Sequence, residues 1–433
     1  MILNNSFFKY ACTKCGVCEG IYPSKIQYNK KNDTFILKEK FNYKELKKFR
    51  NFCPGTGINF KKNLSQKKYI NKLVGNNLGF FIGYSKNKNI RLNSASGGVL
   101  TEINLFLLKN NYVDFVIMPT KNIDNISYDF QFLSKKSSII KNSQSIYYKV
   151  PLRDTVEKIK KYRKRVALVA LPDQIYAIKQ IANSDSELKK YLKFTYGPMV
   201  GINMEKDSIE GIKKVYNIQN SSKLKFLKWR DGKWPGYLNV KFENYKRIKI
   251  KKFYYNFLLP FYCTYESIFS SDFYNEFADF SIGDAWSPKY ENTSNDGTSI
   301  ISIKNKKSLE LFKILKKKKI IYLENIGNKE AIKMHAHMAD FKKRGSYYRR
   351  KIFTFLGKSV PDHHTYFEKL YFKRFLIELI ILFVVMTLKT NFGKYILNIT
   401  TPNFLGKVFT KLRYTWKKLT INIKRDKLLD EIK

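Results

Sequence analysis

The chain has 433 residues, of which 44% are hydrophobic, and a formal net charge of +47 at pH 7. This length and apolar content suit two or three domains with a buried core, and they exclude a disordered chain as the default. No basic segment followed by a short apolar run and a cleavage site opens the chain. We therefore expect no secretory signal and a cytoplasmic protein.

The strong positive charge predicts attraction to polyanions. These could be nucleic acid, an anionic membrane face, or a phosphorylated or polycarboxylate ligand. The alternative is a solvated lysine surface that has no dedicated partner. Because the chain contains no nucleic-acid-binding motif, we expect no specific nucleic-acid partner.

The central part of the chain, residues 79–345, alternates between strand and helix patterns. "GFFIGY", "YVDFVIMPT" and "RVALVALP" predict strands, whereas "GGVLTEINLFLLKNN" and "RDTVEKIKKYRK" predict helices. "GYLNVKFEN" and "KRIKIKKFYY" predict further strands. This alternation predicts an α/β fold with a mixed, mainly parallel central sheet and flanking helices.

Residues 346–433 are predicted to form a basic helical C-terminal extension. It contains the apolar segment "FLIELIILFVVMTL", Phe375 to Leu388, which includes Glu378 and is short of the roughly twenty residues that span a bilayer. We expect a buried helix, with an interfacial membrane helix or a true span as alternatives. Basic residues flank the segment and favour peripheral contact with an anionic membrane: Lys373, Arg374 and Lys389.

Three cysteines lie close together in "ACTKCGVCEGIYPSKI". Cys12, Cys15 and Cys18 are separated by two residues each. The bacterial ferredoxin run is C-x2-C-x2-C-x3-C-P, and this chain has Tyr22 at the fourth cysteine position, followed by Pro23. The spacing indicates an iron–sulfur loop whose fourth thiolate comes from elsewhere in the chain.

Cys53 is the candidate fourth ligand, because it precedes a proline in "NFCPGTGINF". We predict that the four thiolates hold one [4Fe–4S] cluster in a ferredoxin-like unit of residues 1–62. The alternatives are structural zinc, which usually takes paired C-x2-C hooks, and a fortuitous group of buried thiols. Cys263 stands alone in "FYCTYESIF", where we expect a small buried hydrophobic residue.

The stretch "NSASGGVLTEINLFLLK" joins a Ser/Gly-rich turn to the start of a helix. Ser94 or Ser96 could cap this helix, and Gly97 and Gly98 would let a ligand approach the backbone. Free N–H groups at a helix start suit a phosphate. The alternative is a plain helix cap with a glycine turn.

Several ordered pieces of the chain together resemble the coenzyme F420 hydrogenase/dehydrogenase beta-subunit family. They are "CTKCGVC" with the distant "CPG", "SASGGVLTEINLFLLKNNYVDFVI", "WRDGKWPGYLNVKFEN", and "ADFSIGDAW" followed by "GTSIISIKNKKSLELF". The resemblance covers most of residues 1 to about 345. It implies an iron–sulfur flavoprotein oxidoreductase in which a [4Fe–4S] cluster, FAD and an acceptor exchange electrons. In the namesake subunits the acceptor is coenzyme F420.

The resemblance also implies two sets of site residues. The four N-terminal cysteines would hold the cluster. The positions that would bind the flavin or shape its cavity are Ser94, Ser96, Gly97, Gly98, Thr101, Pro172, Gln174, Gly283, Asp284 and Trp286. For Gly283 and Asp284 the alternative is a simple turn after a buried strand, and for Trp286 it is a core aromatic residue.

The chain departs from the family pattern at two positions. Many members have a "G-x-P-C-Q" loop, whereas this chain reads "ALPDQIYAI" and has Asp173 at the cysteine position. Asp173 is either a helix N-cap or a proton donor near the flavin, and it is the one candidate for a catalytic residue. Glu266 stands where some members carry a cysteine three residues after the equivalent of Cys263. The absence of a cysteine at each of these two positions argues against a second cluster.

Three functions follow from this reading. The leading hypothesis is a flavoprotein that receives electrons from ferredoxin or another redox subunit and reduces a small-molecule acceptor such as coenzyme F420. The second is a reductase or modifying enzyme of surface-polysaccharide biosynthesis, held at the inner membrane face by its tail. The third is a non-catalytic electron-transfer subunit that carries the cluster.

Overall fold

The predicted α/β fold is confirmed in a computed structural model of the chain. The structure describes residues 3–4, 6–62, 64, 68–122, 127–291, 296–369 and 371–421. Its largest sheet has eight strands, and smaller sheets of three and two strands accompany it.

The strands of the described ranges are numbered in chain order. Strands β1 to β13 are Ile26–Asn29, Thr34–Leu37, Gly79–Ser85, Phe115–Lys121, Tyr128–Leu133, Val166–Val169, Leu192–Pro198, Leu224–Asp231, Tyr237–Phe242, Ile248–Lys251, Phe280–Asp284, Ser299–Ile303 and Ile321–Ile326.

The helices of the same ranges are numbered in the same way. Helices α1 to α19 are Val17–Ile21, Tyr43–Phe52, Tyr69–Val74, Lys88–Leu92, Val99–Lys109, Lys136–Lys141, Thr155–Tyr162, Pro172–Ser184, Ser186–Tyr191, Ser208–Val215, Leu258–Tyr262, Tyr265–Phe269, Pro288–Glu291, Lys306–Lys317, Asn328–Asp340, Ser346–Phe355, Phe372–Leu388, Asn391–Ile399 and Pro402–Thr420.

The eight-stranded sheet is mixed and has the order β13-β3-β12-β11-β7-β6-β4-β5. The ladders β11–β7, β7–β6 and β6–β4 are parallel, and the outer ladders are antiparallel. The four parallel strands therefore end at one edge, where ligand sites of α/β proteins collect. Asp284 is the last residue of β11, and Asp173 follows β6 at the same edge.

Both faces of this sheet are covered. Along β6, Val166 and Leu168 belong to one hydrophobic core, whereas Ala167 and Val169 belong to another. A strand that alternates between two cores is buried on both faces, as expected for parallel strands.

The N-terminal cysteine region shares a core with the sheet. The antiparallel hairpin β1–β2 and helix α2 lie between Cys18 and Cys53 in the chain. Phe49 of α2 belongs to the same buried cluster as Ile175 of α8 and Leu168 of β6. The proposed division of the chain at residues 62 and 345 stays a prediction.

The three-stranded sheet, of order β10-β9-β8, has its own core. Trp229 of β8 is fully buried in it, and Leu397 of α18 and Leu405 of α19 pack into the same core. The C-terminal helices are thus anchored to the part of the chain that carries residues 224–251.

The expectation of a buried apolar helix at residues 375–388 is wrong. Helix α17 covers this segment, and the side chains that it buries are Arg374, Glu378, Leu382 and Val385. Its exposed side chains are mostly large and apolar: Phe372, Phe375, Leu376, Leu379, Ile380, Phe383 and Met386. Because Arg374 and Glu378 point toward the protein, the apolar side of α17 is on the outside.

Within the described ranges, no single helix has the length and apolar composition needed to cross a bilayer. Helices α17 and α18 satisfy those two criteria only when taken together, and they are bent by 76° at the break between them.

Candidate functional site

The cysteine loop is held in a tight conformation by its contact with residues 151–153. Gly16 has φ +82°, a left-handed conformation that favours glycine, and a Cβ there would lie 2.8 Å from the backbone nitrogens of Leu152 and Arg153. Leu152 N also donates a hydrogen bond to Cys15 O at 2.8 Å. The chain therefore needs glycine between Cys15 and Val17.

The structure brings the four predicted cluster cysteines together. Cys15, Cys18 and Cys53 are buried in one hydrophobic core, and the half-buried Cys12 packs against it. Cys53 reaches this core because it directly follows the last residue of α2. The predicted association of residues 12–18 with a thiol more than thirty positions further along the chain is thus present.

Burial and mutual electrostatic interaction disfavour ionisation of the thiols. Burial raises the pKa of each of the four, that of Cys15 to about 12. After burial, the largest causes that raise the pKa of Cys18 are the other three thiols, and Cys15 and Cys12 likewise raise that of Cys53. Each ionised thiol would therefore disfavour the ionisation of its neighbours.

Backbone N–H groups favour the ionised form of all four thiols. Lys14 N donates to Cys12 Sγ at 3.4 Å. Comparable donors lower the pKa of the other three thiols, although burial outweighs them. These donors are the backbone N–H groups of Val17 for Cys15, Glu19 for Cys18, and Gly55 and Thr56 for Cys53.

Tyr22, which stands at the fourth ferredoxin position, has a packing role. Its ring contacts Phe41 at a centroid distance of 4.9 Å and is stacked on Phe52 at 6.5 Å. Phe52 immediately precedes Cys53. Tyr22 therefore helps to hold the end of α2, and with it the fourth thiol, against the cysteine loop.

The two positions that depart from the family pattern contact the same lysine. Lys149 Nζ lies 2.5 Å from Asp173 Oδ2 and 3.6 Å from Glu266 Oε2, and all three side chains are buried. Burial would lower the pKa of Lys149, but the two carboxylates outweigh it and raise the pKa. Lys149 also lowers the pKa of Cys15, so this charged group adjoins the thiols.

The expectation that Asp173 caps helix α8 is wrong. The N-cap residue is Leu171, Pro172 is the first residue of the helix, and the Asp173 carboxylate bonds Lys149 instead. Gln174 accepts from Leu171 N at 3.0 Å and donates to Val150 O at 2.7 Å. Gln174 thus bonds Val150, which lies two residues before Leu152, the residue that contacts the cysteine loop. Pro172 is next to Asp173 at the start of the same helix.

Cys263 is apart from these groups. It is 2% exposed and belongs to a different core, with Phe269 and Phe353 among its neighbours. This confirms the expectation of a small buried residue.

The prediction that Ser94 or Ser96 caps helix α5 is wrong. Gly98, with φ +77°, is the N-cap of α5, and neither serine caps the helix. Ser94 Oγ donates to Ile90 O at 2.7 Å, and Ser96 Oγ donates to Thr298 O at 2.9 Å. Thr101 is buried in the first turn of α5.

Gly97 is required by packing against the sheet. A Cβ at this position would lie 2.6 Å from Gly83 O and 2.9 Å from Ser299 N. Gly97 N also donates to Ser299 Oγ at 3.0 Å. Ser299 pairs with Asp284 across strands β12 and β11, so the turn adjoins the end of β11.

Asp284 is the centre of a half-exposed polar and aromatic site. Arg230 NH1 and NH2 donate to its two carboxylate oxygens at 2.9 and 3.1 Å, and Trp234 Nε1 donates at 2.9 Å. Burial would raise the pKa of Asp284, but Arg230 and the other donors outweigh it and lower the pKa. The ring of Trp286 lies 4.6 Å from that of Trp234.

The structure adds a tyrosine and a lysine that the sequence did not reveal. Lys252 Nζ donates to Tyr147 OH at 2.6 Å and to Tyr255 OH at 3.0 Å. Burial would raise the pKa of Tyr147, but Lys252 and Arg230 outweigh it and lower the pKa. No local motif marks this pair, because 105 positions separate the two residues.

The thiol site and the Asp284 site are neighbours. Tyr147 belongs to the Asp284 site and Lys149 to the thiol site, and only Tyr148 lies between them. Two residues of fully extended chain span at most about 7 Å, so the Cα atoms of Tyr147 and Lys149 lie within that distance of each other.

Two family models match the chain. The model for the N-terminal part of the coenzyme F420 hydrogenase/dehydrogenase beta subunit matches residues 80–157, and the model for the C terminus of that subunit matches residues 163–329. Together they cover more than half of the chain. No curated protein sequence matches it.

A solved structure shares the fold. It is a chain of the F420-reducing [NiFe] hydrogenase complex from Methanosarcina barkeri, determined after xenon derivatisation. The match has a TM-score of 0.52 and 18% identity, and it covers 67% of this chain and 97% of the other. With the matches to both parts of the subunit, the chain belongs to the coenzyme F420 hydrogenase/dehydrogenase beta-subunit family.

Proposed function

We propose that this chain is an iron–sulfur oxidoreductase subunit in which Cys12, Cys15, Cys18 and Cys53 hold one [4Fe–4S] cluster. The observation that carries the proposal is the convergence of four thiols, from two distant segments, in one buried core with backbone N–H groups at the sulfurs. Family membership supports an iron–sulfur electron-transfer role.

The sequence spacing of the cysteines supports a cluster over a zinc ion, because zinc sites usually pair their ligands as C-x2-C hooks. Four sulfurs at 2.3 Å from one zinc would lie within about 4 Å of one another. Among the residues that the structure describes, no three His, Cys, Asp or Glu side chains are arranged to hold a single metal ion.

We infer that the electron acceptor site lies beside Asp284 and Trp286. When bound, a [4Fe–4S] cluster supplies single electrons, and FAD converts them to a hydride equivalent. The chain's own contribution would be an aromatic wall of Trp234 and Trp286, the cation of Arg230, and a proton from Tyr147 that Lys252 orients. The proximity of Tyr147 to Lys149 supports electron transfer between the two sites.

The assignment of the Ser/Gly turn to the flavin rests on the family resemblance. Packing against β3 and β12 already accounts for Gly97. The nearness of Ser96 to the Asp284 site supports a contact: a Cβ at Gly297 would lie 3.0 Å from both the Ser96 backbone and the Trp234 ring. Asp173 is bonded to a buried lysine beside the thiols, so we propose that it tunes the cluster instead of donating a proton.

We infer that electrons reach the cluster from a ferredoxin or from another redox subunit. The net charge of +47 supports association with an acidic electron carrier and with an anionic acceptor such as coenzyme F420. That the related solved chain comes from a hydrogenase complex supports a partner subunit.

A reductase of nucleotide- or lipid-linked sugars in surface-polysaccharide assembly is a second candidate. The observation that favours it is the exposed apolar surface of α17, which suits work beside a membrane. A screen of the reduced protein against coenzyme F420, free flavins and nucleotide sugars would separate the two candidates.

The ligand role of Cys53 is tested by substitution. We expect Cys53→Ser, purified without oxygen, to lose most of the broad visible absorption of the cluster, because it removes one of four thiolates. Cys263→Ser is the matched control and should keep that absorption, since Cys263 lies in a different core. Equal cluster content in both variants would contradict the assignment.

Lys149 and Asp173 should shift the reduction potential of the cluster in opposite directions. Reduction adds negative charge, so removal of the cation in Lys149→Met should lower the potential, and removal of the carboxylate in Asp173→Asn should raise it. The potential is read from a redox titration followed by electron paramagnetic resonance, with the surface variant Lys160→Met as control. Shifts of the same sign would show that the two residues act only on folding.

Tyr147 should ionise below the usual tyrosine value of 10, because Lys252 and Arg230 stabilise its phenolate. As pH rises towards 10, absorbance at 295 nm should therefore show a tyrosinate that Tyr147→Phe lacks. Tyr148→Phe is the control, because burial raises the pKa of Tyr148 and it should not titrate in this range. If wild type and Tyr147→Phe titrate alike, the proposed proton donor is wrong.

A further inference from the structure

Helix α17 has the reverse of the side-chain distribution expected for a helix on the surface of a protein in water. Toward the protein it presents Arg374 and Glu378, which are 3% and 0% exposed. Toward the outside it presents Phe372, Ile380 and Phe383, which are 75%, 63% and 70% exposed. Water-facing helices usually bury their apolar stripe and expose their charges.

Ion pairs fix this orientation of α17. Glu378 pairs with Arg349 of α16 and, at 2.6 Å, with Arg374, which in turn pairs with Asp340 of α15. All four side chains are buried. A rotation of α17 that buried its apolar stripe would separate these charges, and breaking a buried ion pair is strongly unfavourable. The outward position of the apolar residues is therefore a property of the fold.

The two helices that follow α17 also expose large apolar side chains. On α17 the exposed large side chains recur every three or four residues and so form one stripe. Helix α18 adds Phe392, Tyr395 and Ile399, and the first turn of α19 adds Phe404. We call this set the C-terminal apolar face: Phe372, Phe375, Leu376, Leu379, Ile380, Phe383, Met386, Phe392, Tyr395, Ile399 and Phe404.

The same three helices carry an excess of positive charge. Between residues 371 and 421 the only acidic residue is Glu378, and it is buried. Exposed lysines lie on the same three helices: Lys373, Lys394, Lys407 and Lys411. An apolar surface whose helices also carry basic residues is complementary to the boundary between anionic headgroups and acyl chains.

We propose that the C-terminal apolar face binds the surface of an anionic lipid bilayer, with α17 and α18 lying along the boundary between headgroups and acyl chains. A second copy of the chain fits the face less well, because two surfaces of a protein with a net charge of +47 would repel each other. The ion pairs of α17 leave one side of the helix for the lipid. This inference does not depend on the redox function.

The test is co-sedimentation of the full-length protein with vesicles. Vesicles of equal parts phosphatidylglycerol and phosphatidylcholine should bind it, and vesicles of phosphatidylcholine alone should bind it much more weakly. Phe383→Ser and Ile380→Ser should each weaken binding by about tenfold or more, because each removes a side chain that would be buried in lipid. Tyr43→Ser on helix α2, which removes a side chain that is 83% exposed, is the control and should bind as wild type does.

The basic residues are tested separately. Lys373→Gln with Lys394→Gln should weaken binding to the anionic vesicles by about 30-fold at low salt. Full binding by Phe383→Ser and Ile380→Ser would show attraction by net charge alone and would overturn the proposal. A dimer that dissociates in Phe383→Ser, with no vesicle binding by wild type, would assign the face to a second copy and would also overturn it. Near-ultraviolet circular dichroism of each variant shows that the fold is intact.

Discussion

The convergence of four thiols, from two distant segments, on one hydrophobic core is the constraint from which the rest of this site follows. Cys12, Cys15, Cys18 and Cys53 lie in or against one hydrophobic core, and each ionised sulfur would oppose the ionisation of the others. The backbone N–H groups at the sulfurs favour the thiolates but do not overcome burial. A cationic metal core would supply the missing positive charge, and binding it would release the thiol protons.

The segment from Tyr147 to Arg153 connects the two halves of the proposed redox site. Tyr147 bonds Lys252 in the Asp284 site, Lys149 pairs with Asp173 and Glu266, and Leu152 holds the cysteine loop. The two acidic replacements noted in the sequence thus form one group around a single lysine. This convergence explains why neither carboxylate is left buried without a counter-charge, since an unpaired buried charge would be unfavourable.

Local patterns in the sequence predicted the fold better than they predicted the side-chain contacts. The alternating apolar runs identified strands such as β3, β4 and β6, because buried strands are marked by their own residues. The convergence of Cys53 with the three N-terminal cysteines was also predicted, because cysteine spacing is specific, and their role as cluster ligands stays a prediction. Tyr147 and Lys252 were missed because their contact depends on tertiary structure. The capping roles of Ser96 and Asp173 were wrong because each side chain bonds a residue far away in the chain, whereas Ser94 donates to Ile90 O, four residues before it. For α17, apolar content predicted burial, whereas the ion pairs of Glu378 reverse the orientation of the helix.

Quantitation of iron, acid-labile sulfide and zinc in protein purified without oxygen tests the central claim most directly. We expect about four irons and about four sulfides per chain, with zinc absent, because four thiolates complete one [4Fe–4S] cluster. One zinc per chain without sulfide would contradict it, and the thiols would then form a structural metal site with no part in electron transfer.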